Sequence, residues 1–163
     1  MDKARRQQLI DQYKDGYRVV TEALAGASDA ELDTRPAPGK WTPREIVHHL
    51  ADSEMTSAIR VRLLVTGPNA AIMGYDQDAF ARRLYYDRHI AHSLEAFRAA
   101  RATTGELLDR LSETDWQQEG THSEIGRYTM DKWLEIYAMH AHEHARQIRV
   151  ARQAARASGG KVG

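Results

Sequence analysis

Apolar residues recur at three- and four-residue steps along most of the chain, the period of helices that bury one face. Between residues 2 and 24 the stripe is Leu9, Tyr13, Gly16 or Tyr17, Val20 and Leu24. It predicts a first long helix that Gly26 stops. Ser28-Asp29-Ala30-Glu31 has the spacing of a capping box and predicts a single turn. A second long helix is predicted from Thr42 to about Thr66. Thr42 is its N-cap, Pro43 sits at the first helical position, Glu45 completes the T-x-x-E box, and Gly67-Pro68 ends it. Its inward face reads Ile46, His49, Leu50, Ser53, Ser57, Arg60 or Val61, and Leu64. Residues 67–89 form a long crossover, with a short helix capped by Asp76 and running to about Leu84. A third long helix carries Ile90, Leu94, Phe97, Ala100 or Arg101, Thr104, Leu107, Leu108 and Leu111. Ser112 caps another short turn, and residues 116–127 read as polar loop. A fourth long helix, capped by Thr129, is predicted to reach about Ala157, leaving 158–163 as a frayed tail.

The four prolines lie outside the long helical patterns and β-branched alternation is scarce. These features predict an all-α fold: a four-helix bundle with long connections and short extra helices, forming one domain over residues 1–157.

Histidines interrupt this pattern where it should be most apolar. The fourth helix carries Trp133, Ile136, Tyr137, Ala141, Ile148 and Ala151 on its inward stripe, with His140 and His144 among them. Residues four apart stand one above the other, so this pair shares a face while His142 turns to the opposite side. Two inward imidazoles must each find a hydrogen-bond partner or share a cation. The second helix offers a third, His49, among Ile46, Leu50 and Ser53; its neighbour His48, about 100° round the helix, is expected to face outward. His49, His140 and His144 are therefore the candidate metal ligands. Three neutral imidazoles leave a coordination position open, as in catalytic rather than structural zinc-type sites. A cation there can activate water, polarise a carbonyl or bind a thiol as thiolate. At 1.5 Å rise per residue, His49 lies about 10 Å into its helix and the pair about 20 Å into theirs, so the helix starts must be staggered by about two turns. Ser53 and Ser57 beside His49 leave either a polar-walled cavity or a close helix contact. The HExxH motif, the paired ExxH motifs of di-iron bundles and a nucleophile turn for Ser-His-Asp catalysis are all missing.

Composition narrows the chemistry further. Lys+Arg and Asp+Glu both number 23 in 163 residues, so the formal net charge is zero. Bulk charge thus gives no reason to expect nucleic-acid or anionic-membrane partners. Arg146, Arg149, Arg152, Arg156 and Lys161 gather at the C-terminal end, where cations complement a helix dipole. There is no cysteine, which excludes disulfides, thiolate ligands and an intrinsic thiol nucleophile. With neither an apolar run of membrane length nor a signal-peptide core, a cytoplasmic protein is expected.

Two segments carry a family resemblance: Trp41-Thr42-Pro43-Arg44-Glu45-Ile46-Val47-His48-His49-Leu50-Ala51-Asp52-Ser53-Glu54 and Tyr137-Ala138-Met139-His140-Ala141-His142-Glu143-His144-Ala145-Arg146-Gln147-Ile148. Together, and with Gly74-Tyr75-Asp76 between them, they resemble the DinB/YfiT-like superfamily, most closely its YfiT-type branch of metal-dependent hydrolases. The resemblance implies a four-helix bundle of unusual connectivity and a divalent metal, zinc or nickel, on His49, His140 and His144. Gln147 matches a glutamine common after the last ligand. The resemblance implies a small-molecule substrate and a homodimer, and some relatives use a low-molecular-weight thiol in S-transfer. It supplies no catalytic base; Glu143 and Asp52 are the nearby carboxylates, each expected to be solvated.

Overall fold

Local capping chemistry fixes where the helices begin. In the computed structural model, which describes residues 1–159, the Glu45 N–H donates to Thr42 Oγ1 at 3.1 Å and the Thr42 N–H to the Glu45 carboxylate at 2.7 Å. This reciprocal box starts α3 (Pro43–Thr66). Asp2 caps α1 (Lys3–Leu24), and Ser28 closes a second reciprocal box on α2 (Asp29–Leu32). Asp76 caps α4 (Gln77–Arg83), and Ser112 caps α6 (Glu113–Trp116). Thr129 Oγ1 accepts from Lys132 N at 3.1 Å at the start of α7 (Met130–Gly159). The remaining long helix, α5 (Ala91–Leu108), ends one turn before the expected Leu111. The last helix extends through Ser158 and Gly159; residues 160–163 of the expected tail lie outside the described residues.

The four long helices α1, α3, α5 and α7 form the bundle, with α1 packed along α7 and α3 against both α5 and α7. The all-α expectation misses one small feature. Three short strands, β1 (Ala70–Ile72), β2 (Glu119–His122) and β3 (Gly126–Thr129), form a sheet in that order. The β1–β2 pair is parallel and the β2–β3 pair antiparallel, with Ala70 opposite Gly120. A Cβ on Gly120 would stand 2.2 Å from the Ala70 carbonyl oxygen, so glycine is what lets these strands approach. Ile72 and Tyr128 from the sheet join Leu9, Tyr13, Leu64, Trp116 and Trp133 in one core cluster. A second cluster holds Val20, Leu24, Ile46, Leu50, Phe97 and Ile148.

A fully buried ion pair bridges these two clusters. Arg101 (2% exposed) donates from Nη2 to Glu54 (0% exposed) at 2.8 Å and from Nε to the same oxygen at 3.1 Å. It also donates to the carbonyls of Tyr13 and, at 3.1 Å, of Tyr137. Its guanidinium lies 4.1 Å from the Tyr13 ring centroid and 5.1 Å from that of Phe97, one ring from each cluster. The Tyr13 hydroxyl and Ser57 Oγ complete the carboxylate's partners. One α5 side chain thus ties α1, α3 and α7 together. Gly16 opens the passage it needs: a Cβ there would lie 2.2 Å from Arg101 Nη1 and 2.7 Å from Ala141 Cβ.

Other inward positions differ from the periodic reading in instructive ways. Ser57 serves close helix contact, since its carbonyl accepts from Trp133 Nε1 at 3.0 Å. Ile136 is 36% exposed, while Leu134, Ala138 and Ala145 are buried, so the buried arc of α7 is wider and rotated. Arg152 does more than complement a dipole: it is buried and donates to the Ala23 carbonyl at 2.5 Å, and together with Arg156 it holds Glu31 of α2. No helix among the described residues is long and apolar enough to cross a membrane.

Removing one member of a buried pair strands the other charge. Arg101→Met is expected to destabilise the fold by about 3–5 kcal/mol in urea denaturation, with Glu54→Leu/Arg101→Met recovering most of the loss. Equal losses in the single and double variants would show that the pair does not act as a unit.

Candidate metal centre

The capping box that starts α3 places His49 two turns into that helix, and α7 carries His140 and His144 on the facing side. The structure brings all three together. His140 Nε2 lies 3.1 Å from His49 Nε2 and 3.1 Å from His144 Nε2. One nitrogen from each ring lies within 4.8 Å of the others. Bonds of about 2.0–2.1 Å to a common cation place two nitrogens 3.1 Å apart at an angle of about 100°, between octahedral and tetrahedral values. Two edges of the triangle therefore already fit a shared ion.

The surroundings prepare these rings as neutral ligands. Burial, reinforced by the nearby His144, pulls the His49 pKa down to about 3. Burial and the neighbouring imidazoles push His140 well below its ordinary range. His144 is lowered to about 4, again by burial, against an opposing hydrogen bond from Gln147. All three rings are thus neutral imidazoles at neutral pH. His144 Nδ1 lies 3.0 Å from Gln147 Oε1; an amide oxygen can only accept, so Nδ1 carries the proton and Nε2 presents its lone pair to the cluster. His49 Nδ1 and His140 Nδ1 are buried with no partner. Buried polar atoms left unsatisfied are rare in folded proteins.

Trp41, just before the cap, forms the wall. Its ring stacks nearly parallel to His144, with centroids 6.3 Å apart and planes at 6°, and meets His49 edge-on at 4.5 Å. Beyond it opens a cavity of about 670 Å³ bounded by the 36–41 loop, the start of α4 and the outer side of α7. Lys40, Asp78, Glu143 and Arg146 are among its lining residues.

The other histidines fall elsewhere. His142 is turned away and contacts the Gln12 carbonyl through Nε2 at 3.0 Å. His89 and His92 are exposed. His48 is not: it is fully buried between α3 and the crossover. Its Nε2 donates to the Arg88 carbonyl at 3.0 Å, which leaves Nδ1 to accept from Ser93 Oγ at 2.7 Å. The expectation of an outward His48 fails because α3 packs on two sides, against α5 as well as α7. Asp52 is not freely solvated either; it accepts from the Tyr86 hydroxyl at 2.6 Å and helps hold the crossover down. Glu143 is exposed.

Similarity to known proteins places the chain in a family. A family profile described as the DinB superfamily matches residues 12–148. A protein of Oceanobacillus iheyensis named "putative metal-dependent hydrolase" is 34% identical over 85% of this chain and 81% of its own length. The Bacillus subtilis protein named "putative metal-dependent hydrolase YfiT" is 32% identical over 78% of this chain and 72% of its own. The solved structure of that YfiT, described as "a probable metal-dependent hydrolase with an unusual four-helix bundle topology", superposes with a TM-score of 0.86 at 27% identity. That match covers 98% of this chain and 90% of the other. The chain belongs to the DinB superfamily.

Proposed function

We propose that the protein is a metal-dependent hydrolase acting on a small molecule, with His49, His140 and His144 holding one divalent cation, zinc or nickel. The observation that carries this reading is the approach of the two outer Nε2 atoms to 3.1 Å from the Nε2 of His140, beside an open cavity. A cation on three neutral imidazoles supplies Lewis-acid polarisation of a substrate carbonyl and of water. The chain's own groups do the rest. Gln147 fixes the tautomer of His144, and Trp41 packs against two of the rings. Glu143 and Asp78 are the carboxylates lining the cavity and therefore the groups able to take up a proton there. The relatives named as metal-dependent hydrolases support the reaction class.

Metal analysis of protein made without a histidine tag is expected to give one zinc or nickel per chain. His144→Ala should weaken metal binding by at least about tenfold and abolish hydrolysis of ester or amide probes while leaving the metal-free fold's thermal midpoint near the parent's. Unchanged metal affinity in the variant would overturn the ligand assignment. Activity that appears only when a low-molecular-weight thiol is added would move the chain to the S-transferases.

Acid should weaken the metal-free fold. In an unfolded chain the imidazoles titrate near 6.5. In the folded chain His144 stays neutral down to about 4 and His49 to about 3. Between those limits the unfolded state binds more protons, so stability falls as pH falls below about 6.5. Urea midpoints of metal-free protein at pH 7.5 and 5.0 should show the loss, and His49→Ala/His144→Ala should show less of it. An identical loss in that variant would assign the effect to other groups.

A further inference from the structure

Four arginines among the described residues are buried: Arg44, Arg60, Arg101 and Arg152. Three have a carboxylate within ion-pair distance: Asp33 and Asp29 for Arg44, Glu54 for Arg101, and Glu31 for Arg152. Arg60 has none. It is 9% exposed, donates to the Tyr137 hydroxyl at 2.9 Å and to the Met73 carbonyl at 2.6 Å, and leaves a buried Nε–H with no acceptor. A guanidinium withdrawn from water without an anion is costly, and two neutral acceptors do not balance its charge.

This cation forms part of the wall of a groove of about 330 Å³ that shares no lining residue with the cavity over the histidines. The rest of the groove is mostly apolar and open to solvent. Met55, Ile59 and Leu63 follow one another at four-residue steps along α3, 44%, 60% and 43% exposed, and Met73 is 70% exposed. Phe80 of α4 closes the far side. Exposed apolar surface gathered around a buried, unpaired cation matches a ligand with one negative end and one greasy end. Asp52 also lines the groove, held by Tyr86, and would repel a second negative charge.

We propose that this groove is a second ligand site, independent of the metal centre, for a small monocarboxylate with an apolar tail whose carboxylate pairs with the Arg60 guanidinium. The carboxylate is the anion that the fold itself does not provide, and a planar guanidinium binds it through paired hydrogen bonds. The tail covers the Met55–Ile59–Leu63 stripe.

Titration calorimetry with octanoate, octanol and octylamine tests the site, on both metal-loaded and metal-stripped protein. Octanoate should bind one per chain with equal affinity in both states, because a carboxylate captured by the metal would be lost on stripping. Octylamine should bind at least about tenfold more weakly. Arg60→Met should cost octanoate about tenfold or more. Met73→Asp and Met73→Lys, at an exposed position that does not risk the fold, should weaken and preserve octanoate binding respectively. The proposal is overturned if octanoate does not bind, if its binding disappears with the metal, or if the two Met73 variants bind it alike. It is equally overturned if Met73→Asp splits a dimer and octanoate has no affinity, since the groove would then belong to a second copy of the chain.

Discussion

The Arg101–Glu54 pair is the contact on which the geometry of the centre depends. Its guanidinium bonds the Glu54 carboxylate on α3 and the Tyr137 carbonyl on α7. Glu54 lies five residues after His49, and Tyr137 three residues before His140. A fully buried charge tolerates no sliding, because a displaced guanidinium would lose partners that water cannot replace. The contacts Ser57–Trp133, Arg60–Tyr137 and His49–His140 show α3 and α7 running antiparallel, so the histidine levels meet without the expected two-turn stagger of helix starts, which holds only for parallel helices. The Arg101 side chain needs Gly16 on α1 to pass, so three helices are referenced to one cation.

Above that pair the polar groups are deliberately incomplete. Around Glu54 each carboxylate oxygen has donors, whereas His49 and His140 each keep a buried nitrogen without one. Burial keeps the three imidazoles neutral, so no proton has to leave before they can act as ligands at neutral pH. The fold thus holds rigid the pair beside the site and turns the Nε2 atoms of the three rings toward one another.

Much of this was legible in the sequence because it is local. The T-x-x-E and S-x-x-E boxes carry their own hydrogen bonds, and both helices begin where the boxes say. The i, i+4 spacing of His140 and His144, with His49 among Ile46 and Leu50, marked the three rings that converge. What escaped the reading depends on distant partners. Arg101 falls on the inward stripe of the third helix, but its counter-ion Glu54 stands 47 residues away and nothing local pairs the two. A single inward stripe turns His48 outward, whereas α3 is buried on two sides. The strands are three or four residues long with no alternation, and only Gly120 hints at a close backbone approach.

X-ray absorption at the metal edge, on protein loaded with one equivalent of zinc, tests the convergence of the three rings most directly. The account predicts three imidazole nitrogens at about 2.0–2.1 Å, falling to two in His49→Ala. A first shell with two imidazoles or fewer in the parent protein, or one unaltered by His49→Ala, would contradict it.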